Sequence, residues 1–449
     1  MDVIKSNSPA DLRRWQVRIF STVWITYFAF YLCRYNMPMV TTEMGNAFSW
    51  GKSQMGIIFS SLTLMYAIGQ FINGQLADRF GGRLIASLGV LGSVSMNVAV
   101  FLITLLLSPK TMNSRTILLL VAVFWGVNGF FQAMGWTPIV RIMAHWFGSK
   151  NRGKVMGFMG TCYQFGAAFP WFLAFFIVTY YVQRMAGDWR AAFLVPAGLF
   201  AVAGVIFFVY IRNTPEDVGL PAIEPEDHSE REVLDKSRRT IAHNVSRTLR
   251  NPYVWIVALT FCFLDMNRYG FVNWLPDFLA ESGQSIGIGG FGFKEVIKRI
   301  IHPLAGSAGA IVAGWATDRF FKGRRAPVIA LLLVLLGVLS IVFPHIDQNN
   351  AGLVILMIAT IGFCTYGPHI LMVGHAAQDF GKKSGAAGAA GFIDGMGYIG
   401  ASLAGWGAGV MITRYGYEFT FAFFGAAAII GALLVCLIWK AGPGTCVVE

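Results

Sequence analysis

Two arginines stand inside long apolar segments of this sequence. Arg34 lies in YFAFYLCRYNMP (residues 27–38), and Arg268 lies in DMNRYGFVNW (residues 265–274). A charged side chain at the centre of a bilayer costs roughly 3 kcal/mol or more unless something compensates it. Tyr27, Tyr31 and Arg34 follow one another at i, i+4 and i+7, so they share one face of a helix. Two phenols and a guanidinium on one face predict an anion site.

The acidic residues in the same segments leave a second interpretation open. No Asp or Glu lies within two helical turns of Arg34 on its own segment, whereas Asp265 precedes Arg268 by three residues. Asp265 is therefore a candidate ion-pair partner for Arg268. Asp394 is a second carboxylate within an apolar segment. Both carboxylates are candidates either for carrying protons or for tethering polar groups between helices.

The composition predicts an all-α membrane protein. The 449 residues are 55% hydrophobic and 13% charged, and soluble domains average about 25% charged residues. An apolar segment of about 20 residues crosses a bilayer of about 30 Å. Twelve such spans are predicted, at about 17–40, 53–77, 84–107, 117–141, 154–181, 190–211, 253–279, 293–316, 326–344, 352–375, 386–411 and 418–440. The net charge of +12 is spread over short loops, which does not favour nucleic-acid binding.

Repeated landmarks divide the chain into two halves. GQLADRFGGR (74–83) and GWATDRFFKGRR (314–325) both follow the second predicted span of their half. Arg34 and Arg268, and likewise Pro138 and Pro368, are separated by nearly the same number of residues. We therefore predict two homologous six-helix bundles, 1–211 and 253–449, joined by a polar linker at 212–252, with the anion site at their interface.

The basic residues set the expected orientation. Most Lys and Arg residues outside the spans lie in the two tails, the linker and the loops on the same side as the tails. By the positive-inside rule, both termini are expected in the cytoplasm. The basic N-terminal tail leads directly into a full-length span, and no cleavable signal peptide is visible. We expect a multi-pass protein of a cell inner membrane.

The loop GQLADRFGGR, its echo in the second half and the six-plus-six layout resemble the major facilitator superfamily. The resemblance covers the whole chain and implies two pseudo-symmetric bundles around a central cavity. In that superfamily the loop Asp and Arg residues belong to a charge network that steadies one conformation. The resemblance therefore implies gating roles for Asp78, Arg79, Asp318 and Arg319, beside the simpler interpretation of topology charges.

Within that superfamily, several segments resemble the organophosphate:phosphate antiporters. The matching segments are 27–36, 65–79, 135–153, 267–274, 362–368 and 385–400. The resemblance implies that Arg34 and Arg268 hold a phosphoryl group. It also implies that tyrosines line the site, namely Tyr27, Tyr31, Tyr66, Tyr366 and Tyr398.

Two positions depart from that family. Many bacterial members have a lysine where this chain has Gln70, and the glycerol-3-phosphate transporter has a histidine where Tyr163 stands. Gln70 and Tyr163 are thus expected to bear on substrate choice. Lys298 and His302, with Lys294, recur every four residues at the outer end of the eighth span. They are candidates for a cationic funnel, or the lysines for headgroup contacts.

The sequence predicts a secondary antiporter that exchanges a small organophosphate, of the glycerol-3-phosphate or hexose-6-phosphate type, for inorganic phosphate. One alternative is a proton-coupled organic-anion transporter that uses Asp265 or Asp394, and another is a transporter-like sugar-phosphate sensor. No nucleotide-binding loop of the Gly-x-x-x-x-Gly-Lys-Ser/Thr type and no compact metal-ligand motif is present in the sequence. We expect neither an enzyme nor a cofactor nor a metal site, and we expect a monomer.

Overall fold

The computed structural model describes residues 9–148, 155, 158–176, 188–223, 250–282, 293–376 and 386–440, and over these ranges it is helical and without strands. The first half contains α1 (Pro9–Phe30), α2 (Thr41–Phe48), α3 (Lys52–Phe80), α4 (Gly82–Leu106), α5 (Ser114–Gln132), α6 (Trp136–Trp146), α7 (Thr161–Phe176) and α8 (Ala191–Tyr210). The second half contains α9 (Pro252–Glu281), α10 (Phe293–Phe321), α11 (Ala326–Val342), α12 (Ala351–Ile370) and α13 (Ala386–Cys436).

Helix occupies part or all of each of the twelve predicted spans. Seven helical stretches in the described residues are both long and apolar enough to cross a membrane. Three large residues on the outside of the molecule, Leu91, Val205 and Leu433, have about two thirds of their surface exposed (64%, 65% and 65%). Exposed apolar surface on this scale is suited to lipid rather than to water.

The first predicted span is not one helix, contrary to the continuous span predicted from the sequence. α1 ends at Phe30 and is followed by a 3₁₀ turn at Tyr31–Cys33, a bend, and a second 3₁₀ turn at Met37–Val40. Pro38 explains the interruption, because it has no N–H and its ring would clash with the carbonyl of residue 34 in a regular helix. The break places Arg34 in irregular backbone at the level of the site.

Other predicted spans also differ in detail. The fourth span consists of α5 and α6, separated by residues 133–135, and the tenth ends in a π-helical turn at Leu371–Ala376. The eleventh and twelfth spans follow one another through a bend at Gly416, whose φ is +80°. This left-handed conformation suits glycine, which has no Cβ to clash.

Each of the two repeated loops contains a glycine with positive φ. Gly81 follows α3 with φ +85°, and Gly323 follows α10 with φ +80°. Each glycine lies a few residues after an Asp-Arg pair, in GQLADRFGGR and GWATDRFFKGRR respectively. Lys322, which precedes Gly323, also has a positive φ of 53°, so the two loops share a glycine of positive φ but not one backbone path.

The halves meet closely at one end of the molecule, which we call the closed end: the end where Lys52 begins α3 and Glu281 ends α9. Lys52 forms ion pairs there with Asp277 and with Glu281, the latter at 2.7 Å. The hydroxyl of Tyr417 also donates to Asp277, at 2.9 Å.

Small residues let α3 and α13 approach each other toward the same end. A Cβ on Gly56 would lie 2.6 Å from the carbonyl oxygen of Gly405, so neither helix has room for a side chain there. Ser60 donates to the carbonyl of Ser402 at 2.5 Å and accepts from the amide of Trp406 at 2.7 Å. Close glycine contacts with serine hydrogen bonds are typical of tightly packed membrane helices.

The repeated loops lie at the other end. The side chains of Arg79, Asp318 and Arg319 are exposed, and the side chain of Asp78 is outside the described part of the structure. The gating role of these residues therefore stays a prediction. Of the predicted linker, residues 212–223 and 250–252 are described and contain a 3₁₀ turn at Pro215–Val218, while 224–249 lie outside the described residues. The boundaries between the linker and the two bundles, at 211 and 253, therefore stay a prediction.

Candidate anion site between the halves

Arg34 is buried between two tyrosines at the break in the first span. Its guanidinium carbon lies 4.7 Å from the ring centre of Tyr31 and 4.6 Å from that of Tyr66. Its Nε donates to Oε1 of Gln132 at 3.1 Å. Its Nη2 has no hydrogen-bond partner in the described structure, although only 4% of the residue is exposed. A buried guanidinium with a free donor is suited to an anion.

A chain of buried amides and hydroxyls holds Gln132 in place. Gln132 donates from Nε2 to Ser93 at 2.7 Å, and Ser93 donates to Oδ1 of Asn128 at 2.6 Å. Asn128 in turn donates to the carbonyl of Cys33 at 2.9 Å. That carbonyl lies where the helix is broken, and a neighbouring side chain thus satisfies it. The network fixes both the break and the orientation of Arg34.

A second pair of asparagines supports the same break. Asn36 donates to Asn97 at 2.7 Å and to the carbonyl of Ala192 at 3.1 Å. Asn97 also donates to the carbonyl of Cys33, at 3.4 Å. Helices α4, α5 and α8 therefore all contribute to positioning the segment that carries Arg34.

Arg268 lies within the continuous helix α9 and has a different environment. Its Nη1 is 3.3 Å from Oδ1 of Asp265 and 2.9 Å from Nε2 of His369. Arginine can only donate, so the Nε2 of His369 accepts. The guanidinium carbon lies 5.2 Å from the ring centre of Tyr269 and 5.1 Å from that of Tyr366. Arg268 is 6% exposed, and its Nε has no partner in the described structure.

A series of aromatic contacts connects the two arginines across the interface. Tyr66, which contacts Arg34, has its ring centre 4.2 Å from that of Tyr398 in the second half. Tyr398 lies 5.9 Å from Tyr269, which contacts Arg268. The rings are close enough for favourable aromatic interactions. Each arginine therefore lies at one end of a series of tyrosine rings that crosses between the halves.

Gln70 and Asp394 form a further contact between the halves. Gln70 donates from Nε2 to Oδ2 of Asp394 at 3.2 Å, and its Oε1 accepts from Thr137 at 3.3 Å. Asp394 forms no ion pair with a cation in the described residues. Gln70 thus links two elements of the first half to a carboxylate of the second.

The remaining predicted residues lie at different distances from the arginines. Tyr27 packs on Tyr31, with ring centres 5.8 Å apart, and on Trp136 at 4.9 Å. The ring centre of Tyr163 is 6.4 Å from that of Trp136. The rings of Trp136 and Tyr27 therefore lie between Tyr163 and Tyr31. His302 is buried beside Tyr366, with ring centres 5.7 Å apart. The side chain of Lys298 lies outside the described part of the structure.

Sequence reasoning missed several residues that contact the site. His369 bonds Arg268, and Gln132 bonds Arg34, but neither was a candidate. The sequence does contain a pattern that predicts the polar network around Gln132. Ser93 and Asn97, and also Asn128 and Gln132, are spaced i, i+4 within apolar spans. Polar residues at that spacing within a membrane helix predict contacts with a neighbouring helix or a cavity.

The site contains two guanidiniums and one carboxylate bonded to one of them. The carboxylate of Asp265 offsets part of the charge of Arg268, whereas Arg34 has no carboxylate partner in the described structure. The tyrosines add hydroxyl donors and aromatic faces. Such a site is suited to an anion with several oxygens. No group of three or more His, Cys, Asp or Glu residues with metal-ligand geometry occurs within the described ranges.

A family model described as the Major Facilitator Superfamily matches residues 23–405. The chain belongs to the major facilitator superfamily. Membership of this superfamily agrees with the two halves and the interface seen in the structure. It also means that the chain is a multi-pass membrane protein.

The sequence is similar over nearly its full length to two bacterial proteins named for organophosphates. It is 27% identical to the glycerol-3-phosphate transporter of Bacillus subtilis (strain 168), over 97% of this chain and 95% of that protein. It is 28% identical to a probable hexose phosphate transport protein of Chlamydia pneumoniae, over 95% of this chain and 92% of that protein. These relatives confirm the resemblance to organophosphate transporters seen in the motifs.

The fold is also found among solved transporters of the superfamily. A bacterial homologue of the human lysosomal transporter Spinster, solved in an inward-facing and unoccupied conformation, matches with a TM-score of 0.69. The match covers 95% of this chain and 96% of that one at 14% sequence identity. At this identity the similarity establishes the fold alone.

Proposed function

We propose that this major facilitator exchanges a small organophosphate for inorganic phosphate by alternating access. One observation carries the proposal: each half contributes one buried arginine with an unpartnered guanidinium nitrogen, and a series of tyrosine rings connects the two. The similarity to transporters named for glycerol 3-phosphate and hexose phosphate supports the same substrate class.

The chemistry of a phosphoryl group fits this arrangement. A phosphate monoester has a second pKa near 6 and carries between one and two negative charges at neutral pH. A guanidinium binds phosphoryl oxygens through two parallel, charge-assisted hydrogen bonds. Arg34 and Arg268 then take separate oxygens of one phosphoryl group, and tyrosine hydroxyls are donors for the remainder. Inorganic phosphate and an organic ester present the same group, so both are substrates of one site.

The orientation, location and assembly follow from the sequence as proposals. With both termini in the cytoplasm, the closed end faces outward. The membrane is a bacterial inner membrane. The protein acts as a monomer and as a carrier rather than an enzyme, since the relatives are named transporters and the site is built to bind an anion.

The proposal is tested by counterflow in proteoliposomes. Vesicles loaded with inorganic phosphate should accumulate labelled glycerol 3-phosphate or glucose 6-phosphate without a pH gradient. Arg34→Gln and Arg268→Gln should each abolish this uptake, because each removes one of the two phosphoryl ligands. Arg115→Gln, in an exposed position at the start of α5, is a matched control and should transport normally. Failure of the wild-type protein to exchange any organophosphate for phosphate would overturn the proposal.

Asp394 favours a second candidate function. This carboxylate is only half-buried and bonds Gln70, so it is placed to bind a proton at the interface. Proton-coupled transport of an organic anion would require a pH gradient and would be lost in Asp394→Asn. Exchange that is independent of the gradient and retained in Asp394→Asn excludes it. Binding of the anion without flux would instead indicate a sensor.

A further inference from the structure

A small cavity lies between the halves, on the closed-end side of Arg268. Its volume is about 30 Å³, which is room for roughly two water-sized groups. Both halves line it, through Tyr35, Trp171, Phe271, Leu275, His302 and Tyr366 among others. Phe271 and Leu275 follow Arg268 by one and two turns of α9, so the cavity extends about 5–10 Å beyond the arginine along that helix.

Two polar side chains lining this cavity have unsatisfied groups. Tyr35 is 3% exposed and His302 is 4% exposed. The hydroxyl of Tyr35 and the Nε2 of His302 have no hydrogen-bond partner in the described structure. Buried polar groups normally have partners, and leaving them without one is destabilising. The lining also includes the phenol of Tyr366 and the indole of Trp171, and the remaining residues are apolar. Within this largely apolar wall, the groups without a partner are the phenol of Tyr35 and the imidazole of His302.

The cavity is separated from Arg268 by one aromatic ring and from Arg34 by two. Tyr366 lines the cavity, and the guanidinium carbon of Arg268 is 5.1 Å from its ring centre. On the other side, Tyr35 lies 5.4 Å from Tyr31, whose ring contacts Arg34. A ligand whose anionic group lies between the arginines therefore needs only a short chain to reach the cavity.

We propose that this cavity is a binding site for the hydroxyl-bearing end of the substrate, with Tyr35 and His302 as its hydrogen-bonding residues. The inference rests on the proposed function, since it assumes that the arginines hold a phosphoryl group. A phenol and an imidazole both donate and accept hydrogen bonds, as a substrate hydroxyl requires. Room for roughly two small groups fits the end of a three-carbon chain rather than a hexose ring. The substrate class is therefore a short polyol phosphate.

The test separates the two parts of the substrate. Tyr35→Phe removes one oxygen, and His302→Phe keeps an aromatic ring against Phe271, whose ring centre is 6.3 Å from that of His302. In proteoliposomes, each variant should raise the KM for glycerol 3-phosphate by about 5-fold, as for the loss of one neutral hydrogen bond. The KM for inorganic phosphate in phosphate:phosphate exchange should stay within about twofold, because phosphate has no hydroxyl-bearing chain.

Two controls keep the result interpretable. Tyr415→Phe makes the same chemical change at an exposed position near the bend at Gly416, and it should change neither KM. Retained phosphate:phosphate exchange shows that each variant folds. Glucose 6-phosphate should compete less well than glycerol 3-phosphate in the wild type.

The outcomes distinguish this inference from the proposed function. Parallel changes in both KM values, no change in either, or a preference for the hexose ester would overturn the cavity site while leaving phosphate exchange intact. A wild-type protein that exchanges phosphate but no organophosphate would overturn the proposed function and this inference with it.

Discussion

The two arginines occupy equivalent places in the repeat but are held by different interactions. Both guanidiniums lie against two tyrosine rings, but Arg34 bonds a neutral amide while Arg268 bonds a carboxylate and an imidazole. Each cation–π contact contributes about 0.5–2 kcal/mol depending on desolvation. Arg34 therefore keeps its full charge available for a ligand, and Arg268 shares its charge with Asp265. We infer that Arg34 makes the larger contribution to anion affinity.

Gln132 should determine how well Arg34 binds phosphate. In Gln132→Met the Nε of Arg34 loses its acceptor, and hydrogen bonds to charged groups contribute about 1.5–3 kcal/mol. Because 1.4 kcal/mol corresponds to tenfold in an equilibrium constant, we expect the KM for phosphate to rise at least tenfold in phosphate:phosphate exchange. The rise reflects lost orientation, since the positive charge itself remains.

Gln132→Glu distinguishes orientation from simple space filling. The glutamate keeps an acceptor at the same place but adds a negative charge that pairs with Arg34 and competes with the anion. It should therefore impair phosphate exchange more than Gln132→Met does. Equal activity of both variants and the wild type would show that Gln132 only fills space between α5 and the broken span.

At the scale of the helices, the closed end is held by polar contacts that alternating access must break. Lys52 begins α3 and pairs with Asp277 and Glu281 near the end of α9. The side chain of Asp277 is 6% exposed and that of Lys52 is 25% exposed, so water screens this pair only partly. Opening of this end separates the two charges, and the pair therefore stabilises the conformation seen here.

Lys52→Met should shift the protein toward the conformation open at this end. Exposed ion pairs contribute up to about 1 kcal/mol and the breaking of buried pairs costs about 3–5 kcal/mol. A partly buried pair lies between these values, and about 1–2 kcal/mol corresponds to roughly 5–30-fold in the equilibrium. The shift is measured in the Ser402→Cys background, because Ser402 lies on α13 where it contacts α3. The rate at which a membrane-impermeant thiol reagent, applied from the closed-end side, labels this cysteine should rise.

Lys110→Met is the matched control, because Lys110 is an exposed lysine in the loop between α4 and α5. It should leave the labelling rate of the cysteine unchanged. A rate that is the same in Lys52→Met and in the control would show that the glycine and serine contacts of α3 and α13 keep this end closed without the ion pair.

The sequence predicts the helices and the two arginines. Hydropathy and a charge within an apolar segment are local properties, and the repeat can be read by comparing the two halves of the sequence. Pro38 also marks the position of the break, although the sequence alone suggested one continuous span. The sequence alone does not predict that His369 contacts Arg268, or that Lys52 pairs with Asp277. Those contacts join residues far apart in the chain, and they depend on how the two halves are packed together. The cavity beside His302 depends on the same packing.

At the scale of the whole molecule, the two halves bring positive charge to one buried interface. The first half contributes Arg34 without a carboxylate partner in the described residues, and the second contributes Arg268 with Asp265. The charge of Arg34 is therefore not compensated by a directly bonded carboxylate, and an anion bound beside it would neutralise it. Movement of the halves around an unliganded site must bury an uncompensated cation, which costs several kcal/mol. Movement around a bound phosphoryl group avoids most of that cost.

This difference predicts obligate exchange. Proteoliposomes preloaded with labelled phosphate should release it slowly into phosphate-free buffer and at least tenfold faster when phosphate or glycerol 3-phosphate is present outside. A cost of only about 1.4 kcal/mol for the unliganded movement already corresponds to tenfold in rate. External sulfate at the same concentration controls for ionic strength, and liposomes without protein control for leakage. Efflux into phosphate-free buffer at close to the exchange rate would mean that the unliganded halves move freely, and the buried arginines would then not explain coupling.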